Sequence, residues 1–154
     1  MAAQEHSIST TVDVRFHQLV IPPRLREIAR IVLVEERVGR AALDIFIAGE
    51  EDMRELNRKY TGEDEVTDVL SFSLTDGEEL PSPDGVLRLG EVIIAYPVAQ
   101  RQAEAAGRPV REEVAHLLVH GILHLLGYDH AEPDEELAMR AREDQLLAVI
   151  AERE

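Results

Sequence analysis

The 154-residue chain has no cysteine. That excludes a disulfide framework and every thiolate metal ligand, so any zinc must be held by histidine and carboxylate. Positive charge is also scarce: 16 lysines and arginines stand against 31 aspartates and glutamates, a formal net charge of −15. A protein that grips nucleic acid unaided ordinarily carries a basic footprint, and this chain has none overall. Long apolar runs are missing too. The richest segment, 114–126, is broken by three histidines, so no stretch reads as a membrane span. The first ten residues, MAAQEHSIST, have neither a basic start nor an apolar centre, so no secretory signal is read there and a cytoplasmic protein is expected.

What is present is an ordinary globular composition. Hydrophobic residues make up 45% of the chain, enough for one buried core, and a single domain over 1–154 is expected. Charge is unevenly spread. Residues 22–40 hold five arginines against three glutamates, whereas 131–154 hold eight acids against three arginines. One arginine-rich helix is thus available to phosphate while the remaining surface repels it, although a solvated helix face explains the same pattern.

Periodicity divides the chain into short strands followed by helices. Strands are expected at 8–16, 42–48, 67–74 and 87–95, the last two paired as a hairpin. Helices are expected at 22–39, opened by Pro22-Pro23, and at 50–60, with Met53 and Leu56 facing inward. Three more are expected at 97–106, 109–126 and 133–152, the last contributing Leu137, Leu146, Leu147 and Ile150 to the core. The stretch 76–85, rich in Asp, Glu, Gly and Pro, reads as a loop. The fold class is α/β (α+β): a small mixed four-stranded sheet covered by about five helices.

The most specific feature is His120-Gly-Ile-Leu-His124-Leu-Leu-Gly-Tyr-Asp-His130. On a helix, residues four apart share one face, so His120 and His124 can reach a single ion. Gly127 ends a helix cheaply, and the returning chain can bring His130 to the same point. Three neutral imidazoles with an open fourth position describe a catalytic zinc site, where a bound water is acidified toward pH 7. The helix that carries them is apolar on several sides, through Val114, Leu117, Leu118, Leu125 and Leu126, and is expected to be central.

The run is similar to the zinc-protease signature His-Glu-x-x-His-x-x-Gly-x-x-His, but Gly121 stands where those enzymes have their glutamate base. A peptidase therefore loses its mechanism, while phosphodiester hydrolysis keeps one. Asp129 is a candidate base or a partner to a ligand imidazole, although helix termination and turn chemistry explain it somewhat better. His116 is one more step of four back along the helix. It lies about 12 Å along the axis from His124, too far to share the ion, so a role behind the ligands or in the core is expected. His6 and His17 receive no role.

With these residues in view, the histidine run resembles the signature of the YbeY family of bacterial ribosomal-RNA maturation endoribonucleases. Two further blocks agree. Leu56-Asn57 through Tyr60 to Thr67-Asp68-Val69-Leu70-Ser71-Phe72 resembles the family's second block, and Leu89-Gly90-Glu91-Val92-Ile93-Ile94 its Gly-Asp-Ile strand. The resemblance implies a zinc-dependent single-strand endoribonuclease with one ion at His120, His124 and His130. Its implied work is small-subunit ribosomal RNA 3′-end maturation and ribosome quality control, with ribosomal RNA, the small subunit or a ribosome-associated protein as partners. Many members have an arginine directly after the tyrosine of the second block, where this chain has Thr61. Arg58, Lys59 and Arg88 are the substitute candidates for substrate contact, with Arg15 a further cation near the first strand. Asp68 either faces the site or starts its strand. The alternative reading is a zinc-stabilised ribosome assembly factor without catalysis.

Overall fold

Alternating β-branched and polar residues put one face of each strand into a core, and the strands assemble accordingly. The computed structural model describes residues 6–73 and 85–154; Leu74 and the expected loop at 76–84 lie outside the described residues. Strands β1 (His6–Val12), β2 (Ala41–Ala48), β3 (Val69–Ser73) and β4 (Leu87–Ala95) form one sheet in the order β1-β2-β4-β3. β1 and β4 flank β2 in parallel, and β3 runs antiparallel to β4, so the expected hairpin pairing is present. Helices α1 (Pro22–Glu35), α2 (Glu50–Thr61), α3 (Tyr96–Ala106), α4 (Val110–Leu125) and α5 (Pro133–Glu152) complete the α/β architecture.

The sheet has two unequal faces. Leu43, Ile45 and Ile47 of β2 join Val92 and Ile94 of β4 in the main core, with α1, α4 and α5. The other face holds a smaller cluster, in which Met53 of α2 covers Ala48, Ile93 and Ala95. Leu56, Leu70 and Phe72 pack against that second cluster, as the alternation of the third strand required.

Several boundaries differ from the sequence reading. The first strand ends at Val12, because the Asp13 carboxylate accepts the Arg15 N–H at 2.9 Å and starts a short 3₁₀ turn over Val14–Phe16. The first helix ends at Glu35, not at Gly39, and Arg37 takes a left-handed φ of 60° just beyond it. β3 starts at Val69, whose N–H donates to the Asp68 carboxylate at 2.7 Å. Leu137 was expected in the core and is 64% exposed. The buried stripe of α5 runs through Met139, Glu143, Leu146 and Ile150, at helical spacing, and Leu137 falls on the opposite side. The stripe includes a charged residue, which is why reading apolar positions alone put it out of phase.

Helix α4 is the hub, touching β3, β4, α1, α3 and α5. It approaches the sheet so closely at Gly121 that a Cβ there would stand 2.6 Å from Val92 Cγ1 and 3.1 Å from Ser71 Oγ. Ser71 fixes the approach by donating its hydroxyl to the Gly121 carbonyl at 3.0 Å. Replacing Gly121 by alanine gains about 1 kcal/mol of helix propensity and incurs about 1–3 kcal/mol of overpacking against a branched neighbour. Urea unfolding of Gly121→Ala is therefore expected to show a net loss of up to about 2 kcal/mol; a gain would mean that α4 can lift off the sheet freely.

Candidate metal centre

The histidine centre is built by the end of α4 and the turn that follows it. His120 and His124 lie on successive turns of α4, on one face. The helix stops with Gly127 at φ 105°, the Gly127 N–H donating to the His124 carbonyl and the Tyr128 N–H to the Leu123 carbonyl. This pairing satisfies the last carbonyls and reverses the chain. The Tyr128 hydroxyl then donates to Glu36 Oε1 at 2.8 Å, and Arg142 of α5 holds the other oxygen of the same carboxylate. The turn is thus tied to α1 and α5 before it reaches His130.

The three imidazoles gather there. Ring centres lie 5.7 Å apart for His120 and His130, and 6.0 Å apart for His124 and His130. Imidazoles sharing one tetrahedral zinc at about 2.0–2.1 Å have ring centres roughly 5 Å apart. Among the described residues no trio of histidine or carboxylate groups is already closed to metal-binding distance. Three imidazole donors with an open side are a set that suits a divalent ion such as zinc, and His130 is exposed in its loop.

A residue that the sequence reading missed stands behind this group. Glu143 of α5, only 8% exposed in its side chain, accepts from His120 Nδ1 at 2.6 Å and from His116 Nε2 at 3.0 Å. Burial by itself raises the Glu143 carboxyl, but the two imidazole hydrogen bonds prevail and hold it at about 2. The same hydrogen bond raises His116 above the usual histidine range, against its own burial. His116 is thereby joined to His120 through the Glu143 carboxylate. The missed signal was a glutamate at the fourth position after Met139 and the third before Leu146, on the apolar stripe of α5.

The other candidates separate. A cavity of about 620 Å³ opens beside His120 and His130, with His116, Asp68, Glu113 and Glu143 in its wall and Arg140 at its rim. Asp68 both starts β3 and lines this cavity, with Gln102 donating to its second oxygen. Asp129 accepts the His130 N–H at 2.7 Å, the turn role weighed above. Arg58, Lys59 and Arg88 do not line the cavity; Lys59 lies over the Tyr60 ring and Arg88 reaches back to the Val86 carbonyl. Thr61 ends α2, its hydroxyl shared between the Asn57 carbonyl and side chain. Arg15 pairs with Asp13, while His6 and His17 contact the Val38 and Val12 carbonyls. A glutamate in place of Gly121 has no room against Val92, so packing as well as composition removes the peptidase base.

Since Gly127 alone sets the reversal that carries His130, Gly127→Ala is expected to cost about 1–2 kcal/mol of left-handed backbone strain in urea unfolding. An unchanged stability would mean that another residue makes the turn.

Comparison with known proteins agrees with this geometry. The family model described as Endoribonuclease YbeY matches residues 8–151. An Endoribonuclease YbeY of Dehalococcoides mccartyi is 43% identical over 155 residues, covering 94% of this chain and 90% of its own. One from Halalkalibacterium halodurans is 41% identical over 135 residues, covering 84% of each chain. The solution structure of TM1509 from Thermotoga maritima superposes with a TM-score of 0.65 at 25% identity, covering 93% of this chain and 88% of that one. No helix among the described residues is long and apolar enough to cross a membrane. By the family match and by relatives alike over nearly its whole length, the chain belongs to the YbeY endoribonuclease family.

Proposed function

We propose that this chain is a zinc-dependent endoribonuclease that cuts single-stranded RNA in small-subunit ribosomal RNA maturation and quality control, carried by one domain over 1–154. Its family membership supports RNA cleavage. The observation that carries the metal reading is the gathering of His120, His124 and His130 at the end of a core helix, with one of them braced by a buried carboxylate. An ion held there would supply a Lewis acid for a phosphoryl oxygen and acidify a water toward neutrality. The chain's own part is to hold three neutral nitrogens on a rigid frame and to leave one side open, since His124 and His130 are exposed.

The electrostatics bear on how RNA arrives. Asp68, Glu113, Glu136, Glu143 and Asp144 all line the cavity, with Arg140 the one arginine among its described lining residues. Such a wall repels a phosphodiester, so naked RNA is bound weakly and the affinity comes from docking on the ribosome or a ribosome-associated protein. The expected site of action is the cytoplasm.

Thr61 favours a second reading, a zinc-stabilised assembly factor without catalysis. The position that often carries arginine in the family is used here to close the end of α2 on the buried Asn57. Cleavage of a small-subunit RNA precursor separates the two. Zinc-loaded wild type is expected to cut, folded His124→Ala to lose at least 100-fold in rate, and Thr61→Arg to match or exceed the wild type. Equal cutting by His124→Ala would end the metal-dependent reading. No cutting by any of the three, with His124→Ala still binding the small subunit, would establish the assembly factor.

A further inference from the structure

We propose that Glu143 and His116 form a positioning device that commits His120 to offer its Nε2, and only its Nε2, to the metal. The inference rests on the metal reading above and assigns roles to two residues outside the ligand set.

A carboxylate buried between two helices sacrifices several kcal/mol of hydration, and exchanging a buried ion pair as a whole for hydrophobes of similar volume is commonly neutral or stabilising. Met139, Leu146 and Ile150 show what the rest of this stripe uses. Glu143 makes ion pairs with His116 and His120 only, among the described residues, so it has no arginine or lysine to balance it. A group so placed is poor glue. Its use lies in what it does to an imidazole.

A neutral imidazole carries one proton and can bind a metal only through the other nitrogen. An ionised carboxylate has lone pairs alone, so the 2.6 Å contact requires the proton on His120 Nδ1. Nε2, across the ring, keeps its lone pair. The contact also fixes the ring plane and raises the basicity of the ligating nitrogen.

His116 supplies what a single contact lacks. A glutamate held at one oxygen can pivot about its side-chain bonds, lose His120 or swing toward the ion itself. Here the second oxygen accepts from His116 Nε2 at 3.0 Å, and His116 stands one helical turn before His120 on α4. The carboxylate is therefore spanned between two points of one rigid helix. The Nδ1 of His116 is buried without a partner, which also fits a ring whose proton is held on Nε2. An unpartnered lone pair in that position is a smaller loss than an unpartnered N–H.

The test has a metal-free arm and a metal arm, on Glu143→Leu, His116→Leu and His116→Gln beside the wild type. In metal-free protein at mildly alkaline pH, long-range proton–nitrogen NMR correlations report which ring nitrogen of His120 bears hydrogen. The wild type and His116→Gln, which keeps a donor to Glu143, are expected to show Nδ1–H; Glu143→Leu is expected to show mainly Nε2–H. Zinc affinity by chelator competition is expected to fall 10- to 100-fold in Glu143→Leu, less in His116→Leu, and to be nearly restored in His116→Gln. Metal-free Glu143→Leu, which leaves two imidazoles without their acceptor, is compared with the wild type in urea to establish that it folds. If that variant does not fold, Glu143→Gln replaces it, with a smaller affinity loss because its amide oxygen still accepts one N–H. Wild-type tautomer and wild-type zinc affinity in the Glu143 variant would overturn the proposal. Absence of zinc uptake by every chain, the wild type included, would instead sink the metal reading beneath it, whatever the tautomers show.

Discussion

A carboxylate taken out of water must be matched by charge or hydrogen bonds, and the Glu143 contact with His116 and His120 is where this fold meets that demand. The contact crosses the seam between α4 and α5. The reversal at Gly127 and the loop that carries His130 lie between the two helices that this contact joins. The Glu36 carboxylate, held by Tyr128 and Arg142, ties the same hairpin to α1. The three histidines are thus held by three helices, although all lie within eleven consecutive residues.

Close packing sets the other coordinate. Gly121 lets α4 lie against Val92 and accept the Ser71 hydroxyl, so the helix carrying two ligands is seated on the sheet and not on a mobile layer. The same lack of space removes the glutamate on which zinc peptidases depend. One packing constraint therefore serves both as structural anchor and as a filter on chemistry, leaving no carboxylate base at that position.

The charge distribution gives the enzyme an unusual relation to its substrate class. The cavity beside the histidines is walled mainly by acids, and the cations expected to meet RNA, Arg58, Lys59 and Arg88, are placed elsewhere. Neutral imidazoles and a divalent ion would form the one strongly electropositive point in an electronegative surround. Such an arrangement disfavours indiscriminate capture of RNA.

Sequence periodicity sufficed for the order and type of the elements, because alternation and helical spacing are local properties of the chain. It also sufficed to bring three histidines together: a 3.6-residue repeat puts His120 and His124 on one face, and a glycine with positive φ returns His130 toward them. Phasing of α5 was not legible, since its buried stripe passes through Glu143 and a charged residue argues against burial until its partners are known. Leu137 was misplaced for the same reason. Those partners sit 23 and 27 residues away on another helix, and only the tertiary structure brings them together. What the sequence determined by itself was which atoms can bind an ion. Which of the two nitrogens of His120 is left free to do so was decided by a contact between helices, because a tautomer is set by the group across the ring and not by neighbours along the chain.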